Sequence, residues 1–129
     1  MLFRSSSDSV AEALYRAAAE PELRDIEAGA AVSALHNAFW HLMSGMTFEE
    51  ALISTVARGG DTDTDAAIAG ALIGAARGRG AIPPRWALPV LTCRPEAELG
   101  AMKPRPEIYW ADDICELAEA LLSSRGDRM

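Results

Sequence analysis

The densest group of chemically capable side chains is Gly59-Gly60-Asp61-Thr62-Asp63-Thr64-Asp65, where three carboxylates and two hydroxyls follow a glycine pair. Carboxylates crowded in this way repel one another unless a cation or backbone N–H groups take up their charge. An all-oxygen donor set suits a hard ion such as Mg²⁺, Mn²⁺ or Ca²⁺. A plainer use also exists: one Asp or Thr caps the following helix and another acid sits in its first turn, a contribution of roughly 0.5 to 2 kcal/mol. Capping occupies one or two of the acids, whereas an ion uses the set together, and the metal reading is favoured. The alternation Asp61, Asp63, Asp65 imitates the first ligands of an EF-hand loop. It fails where that loop needs Gly and then a bidentate Glu, because those places hold Ala66 and Leu72. Gly59 and Gly60 either let a ligand's ribose or phosphates come close or end the preceding helix.

Other chemically capable residues are weaker candidates. His36 and His41 lie five apart on an expected helix, about 140° around its axis, so they do not form an i, i+4 ligand pair. Packing or ordinary hydrogen bonding is expected of both. Trp40, Trp86, Trp110 and Phe39 read as core or rim residues, although one could line an adenine pocket. Arg58 is either a phosphate contact or a solvated helix-end charge, with the second favoured. Cys93 and Cys115 are the only thiols and are expected to be reduced, small core residues.

The elements that must position the acidic stretch read as helices throughout. Twenty-five alanines and apolar residues at helical spacing indicate an all-α chain. A first helix is expected from about Asp8 to Glu20, with Val10, Leu14 and Ala17 or Ala18 inward, before Pro21 interrupts it. A second is expected over Ile26 to Met43, carrying the stripe Val32, Leu35, Phe39 and Leu42 and ending near Gly45. Thr47 with Glu50 is a capping box for a third helix, from which Leu52, Ile53 and Val56 should face inward. A fourth should open at Thr62 to Thr64 and run to Arg77. Its Gly70 and Gly74 each cost about 1 kcal/mol relative to alanine, which close backbone packing would explain. Six of the seven prolines fall between Gly78 and Pro106, read as an ordered surface wrap with one short turn at Trp86. A last helix is expected from about Asp113 to Ser124, capped by Asp113 with Glu116, with Ile114, Leu117, Leu121 and Leu122 as its apolar set and Gly126 at its end.

The whole-chain properties narrow the function classes. A length of 129 residues fits one helical domain, residues 1–129, and one site. Nineteen acids against twelve bases give a net charge of −7, a surface that repels phosphate backbones, so no nucleic-acid partner is expected. No apolar run reaches the roughly 18 residues of a membrane span, and the N-terminus lacks the apolar stretch of a secretion signal. The expectation is a cytoplasmic chain with no membrane partner.

GGDTDTDAAIAGALIGAARGRGAIPPRW resembles the C-terminal signature of the ADP-ribosylglycohydrolase family, which includes the dinitrogenase-reductase-activating glycohydrolases. SALHNAFWHL and FEEAL upstream, with LTCRP and RPEIYWADD downstream, are similar to the block order of bacterial members. The resemblance implies an all-α fold and a pair of Mg²⁺ ions, or Mn²⁺ in their place, beside a bound ADP-ribose. By the same resemblance Asp61, Asp63 and Thr64 fall on the family's C-terminal metal ligands, while Asp65 stands where Asn or an apolar residue is common. The implied reaction is cleavage of the glycosidic bond between ADP-ribose and a modified side chain, with an ADP-ribosylated protein as partner. The family's Thr/Ser-Asp-Asp metal motif and its N-terminal catalytic acid have no counterpart here, so no catalytic residue is assigned. The expectation is a site completed by a second copy or by a complementary N-terminal subunit. The alternative is an inactive helical module that keeps partial metal or ADP-ribose binding, or a purely structural role.

Overall fold

The computed structural model describes residues 6–19 and 30–126. Among them are six α-helices, α1 Ser6–Ala17, α2 Ala30–Met43, α3 Phe48–Ala57, α4 Thr62–Arg77, α5 Pro84–Leu91 and α6 Ile114–Gly126, and no strand. Short 3-10 turns lie at Arg79–Ala81 and Glu107–Tyr109. The all-α expectation holds. The chain forms two compact units, Met1–Ile82 and Pro83–Met129.

In the first unit α2 packs against both α1 and α4, and α4 packs against α3. Alanine makes this possible: Ala13 and Ala17 of α1, Ala34 and Ala38 of α2, Ala51 of α3 and Ala69 of α4 are all buried. Small side chains let helix axes approach, and the bulk is supplied by Phe48 and Ile73. Helix α3 begins as expected. The Glu50 N–H donates to Thr47 Oγ1 at 3.2 Å and the Thr47 N–H donates to Glu50 Oε2 at 2.9 Å, satisfying two backbone donors reciprocally. These bonds from Thr47 to the Glu50 carboxylate, backbone first and then side chain, hold that carboxyl below its usual range. Helix α4 spans Thr62–Arg77, the bounds its sequence implies.

Several expectations are corrected. Helix α1 starts at Ser6 and ends at Ala17, and its buried positions are Ala13 and Ala17, with Val10 exposed and Leu14 half-buried. The proposed Pro21 break and the start of α2 at Ile26 lie outside the described residues. The α2 stripe Val32, Leu35, Phe39 and Leu42 is only half-buried. The fully buried positions of α2 are instead Ala34, Asn37, Ala38 and His41 on one side and His36 on the opposite side, toward α1, because small and polar residues fit between closely packed helices where large apolar ones do not. Ile53 and Val56 of α3 are exposed, and its inward positions are Phe48, Ala51 and Thr55. The glycines of α4 do not meet a neighbouring backbone: a Cβ at Gly70 would lie 3.7 Å from Phe48 and Leu52 side-chain atoms, and one at Gly74 3.7 Å from Phe48.

In the second unit the proline-rich stretch contains a helix where only a turn was expected. Pro84 occupies the first turn of α5, where a missing N–H costs nothing and a preset φ helps. Pro89 sits inside it, and the helix ends two residues later. Cys93 is exposed and Cys115 half-buried, both free thiols, so neither is a core residue. Ile114, Leu117, Leu121 and Leu122 of α6 are all exposed. No helix among the described residues is long and apolar enough to cross a membrane.

Candidate functional site

The acidic stretch is the connection between α3 and α4. Arg58 ends α3, its N–H donating to Ser54 O at 3.2 Å, and the Gly59 N–H donates to Val56 O at 3.1 Å. Gly59 and Gly60 both have φ near +80°, the left-handed region that a side chain resists. The space where their side chains would be is open, with no atom within 4 Å of either virtual Cβ. The pair therefore turns the chain between two helices and leaves bare backbone at the surface.

Asp61 is the N-cap residue of α4 by position, and its carbonyl accepts the Asp65 N–H at 3.0 Å. Its side chain makes no capping bond to the helix. Asp63 does part of that work, its Oδ1 accepting the Thr64 N–H at 3.0 Å. The neighbouring Asp61 side chain first, then the Thr64 and Asp63 backbone N–H groups, hold the Asp63 carboxyl below the usual range. Asp61, Asp63 and Thr64 are all exposed.

The third acid is placed differently. Asp65 is buried and forms an ion pair with Arg58 across the turn, with both side chains largely withdrawn from water. It is thus not presented with Asp61 and Asp63, and Arg58 is not simply a solvated charge. Two carboxyls and a hydroxyl are the oxygen donors that Mg²⁺ and Mn²⁺ prefer, and Asp61, Asp63 and Thr64 leave theirs exposed at the helix start. Among the described residues no group of three or more His, Cys, Asp or Glu side chains gathers as a cage.

Behind the loop lies a polar seam that sequence reasoning missed. Asn37 Nδ2 donates to Thr55 Oγ1 at 3.0 Å, which donates in turn to Ala51 O at 2.8 Å. His36 Nδ1 donates to Ala13 O at 3.1 Å, tying α2 to α1. His41 Nδ1 lies 3.2 Å from Met46 Sδ, and because a thioether only accepts, that nitrogen carries the proton. Nε2 of His41 is then a buried acceptor with no hydrogen-bond partner. Burial first, and the nearby Arg58 cation second, push the His41 pKa below its ordinary value. The packing role expected of both histidines agrees with their burial. A signal for the seam was present in SALHNAFWHL, where Asn37 and His41 share a helix side with Ala34 and Ala38.

Within the second unit, Pro89, Val90, Cys93, Pro95, Tyr109 and Trp110 line an open groove of about 390 Å³. Arg94 lies 5.2 Å from the Trp110 ring centroid and pairs with Asp112 at 3.2 Å, while Trp110 Nε1 donates to Arg105 O at 3.0 Å.

The structure shows an all-α chain that presents exposed acids at a glycine-turned helix start. The chain belongs to the ADP-ribosylglycohydrolase family, whose model matches residues 2–128. No curated protein and no solved structure matches it at a significant level. Membership makes the chain an ADP-ribosylglycohydrolase-like hydrolase in general character and implies ADP-ribosylated substrates.

Proposed function

We propose that the chain takes part in Mg²⁺-dependent cleavage of the glycosidic bond between ADP-ribose and a modified side chain, with Mn²⁺ able to replace Mg²⁺. The observation that carries this reading is that Asp61, Asp63 and Thr64 are exposed together at a glycine-turned helix start, with the Asp61 side chain not used as a helix cap, in a member of this family. Asp61, Asp63 and the Thr64 hydroxyl would hold the ion on one side. Gly59 and Gly60, bare and open, let the ribose or its phosphates reach the loop. When bound, the ion orients the ribose hydroxyls and stabilises charge as water attacks the anomeric carbon.

Two carboxylates and a hydroxyl leave half of a six-oxygen shell to be supplied from elsewhere. Glycosidic cleavage also needs an acidic group across the bond from the attacking water. We assign both to a second chain, either another copy or a complementary subunit, and the exposed apolar side chains of α6 offer a surface for such a partner. The competing reading is binding of metal or ADP-ribose without turnover.

The test is ADP-ribose release from arginine- and serine-linked peptides with Mg²⁺ or Mn²⁺, followed over a wide range of protein concentration. Release that rises more steeply than linearly with concentration, and disappears in Asp61→Asn and Asp63→Asn, supports a shared site. Binding of free ADP-ribose with no release at any concentration supports the inactive module.

A further inference from the structure

The glycine pair that opens the loop to ligand also loosens it. Residues 59 and 60 both sit at positive φ with no side chain packed around them, so only backbone hydrogen bonds hold the turn locally. An ion pair between side chains also joins its two ends. Arg58, the last residue before the glycines, meets Asp65, the first buried residue of α4, and the charged groups lie within hydrogen-bond reach. The side chains keep only 20% and 12% of their exposure, which places the pair where solvent screens it little. Asp65 stands on the inward side of α4 with Ala69 and Ile73 at four-residue spacing, so its position is set by the core. Arg58 is set by the end of α3. The pair therefore spans the loop from two rigid anchors, with all five candidate ligand-binding residues between them.

We infer that Arg58 and Asp65 are positioning residues: their ion pair clamps the Gly59–Thr64 turn so that the Asp61 and Asp63 carboxyls stand together for a divalent ion, and Asp65 itself is withheld from that ion. This rests on the metal reading of the acid pair. An Asp here, in place of a neutral residue, is thereby accounted for by Arg58 and adds no charge to the ion's shell. Groups that orient metal ligands without touching the metal commonly change affinity by 10- to 100-fold when removed.

The experiment uses the full chain, with Mn²⁺ titration by calorimetry and amide hydrogen exchange over residues 59–64 measured in parallel. Arg58→Gln and Asp65→Asn are each expected to weaken Mn²⁺ binding by about 10- to 100-fold and to speed exchange at the Gly59 amide, bonded to Val56 O at the end of α3, and at the Thr62 amide, bonded to Gly60 O within the turn. The swapped double variant Arg58→Glu with Asp65→Arg is expected to recover most of both losses. Unchanged exchange in both single variants overturns the clamp, whatever happens to the ion. Faster exchange with unaltered Mn²⁺ affinity overturns the positioning role. If the parent chain binds no Mn²⁺, the metal reading fails and the positioning role falls with it, while the exchange data still decide whether the turn is clamped. Should the single variants unfold, a swapped variant that folds but recovers neither readout overturns the proposal.

Discussion

At the scale of single residues, the buried polar side chains of α2 and α3 differ in how fully they are satisfied: Asn37 and Thr55 bond each other, while Nε2 of His41 has no partner. Thr55 is fully buried and serves both as acceptor for Asn37 and as donor to Ala51 O. Thr55→Val keeps the shape but strands the Asn37 donor, and an unsatisfied buried group costs about 1 to 3 kcal/mol. Urea unfolding should show that loss as a lower midpoint with an unchanged slope; an unaltered midpoint would mean that Asn37 finds another partner. His41 makes a pH-dependent contribution. Its folded pKa lies below the ordinary value near 6.5, so the unfolded chain binds the proton more readily. The His41 contribution is therefore fully present above that ordinary value and is lost as pH falls through it toward the folded pKa. Urea midpoints between about pH 7.5 and 5 should fall on acidification, and a His41→Gln variant should show a shallower fall. Equal slopes for the two proteins would remove His41 from the account.

At the scale of elements, the same residue type has opposite meanings on the two sides of the α4 start. Gly60 needs its positive φ, so Gly60→Ala is strained by roughly 1 to 2 kcal/mol. Gly74 is an ordinary helical position where an added methyl would touch Phe48 at a normal van der Waals distance. Gly74→Ala should therefore stabilise by up to about 1 kcal/mol through helix propensity, raising Tm, whereas Gly60→Ala should lower it. A matched pair of thermal melts checks both, and a fall in Tm for Gly74→Ala would show that the Phe48 contact is tighter than its distance implies. The capping box of α3 was legible in the sequence because caps depend on neighbours within four residues, and the bounds of α4 were legible because glycines stand just before its start and just past its end. Helix α5 was not, because its proline count argued for a wrap. Pro84 in fact stands at the one helical position that proline favours.

At the scale of the whole molecule, the two compact units give the metal reading a spatial consequence. The acid pair belongs to Met1–Ile82, so an ion held there should stabilise that unit. Ligand linkage supplies about 2.7 kcal/mol at a hundredfold excess over Kd. Amide exchange with and without saturating Mn²⁺ should show slower opening for α2, α3 and α4, and this protection should vanish in Asp61→Asn with Asp63→Asn. Protection that survives the double variant would place the ion elsewhere.

The order of residues along the chain determined by itself what depends on local chemistry. It set the helical class through alanine content and spacing, the capping box at Thr47 and Glu50, the α4 start, and the run of oxygen donors that carries the family signature. Tertiary structure alone decided which acids share a surface. Asp61 and Asp63 stand together in water, whereas Asp65, two residues on, turns inward to Arg58. It also decided that α2 buries His36, Asn37 and His41 while Leu35 and Phe39 stay half-exposed. Periodicity marks where the apolar side chains line up. Which side of a helix is buried depends on the neighbours packed against it, and between closely spaced helices small residues and hydrogen-bonded polar groups fit where larger ones do not.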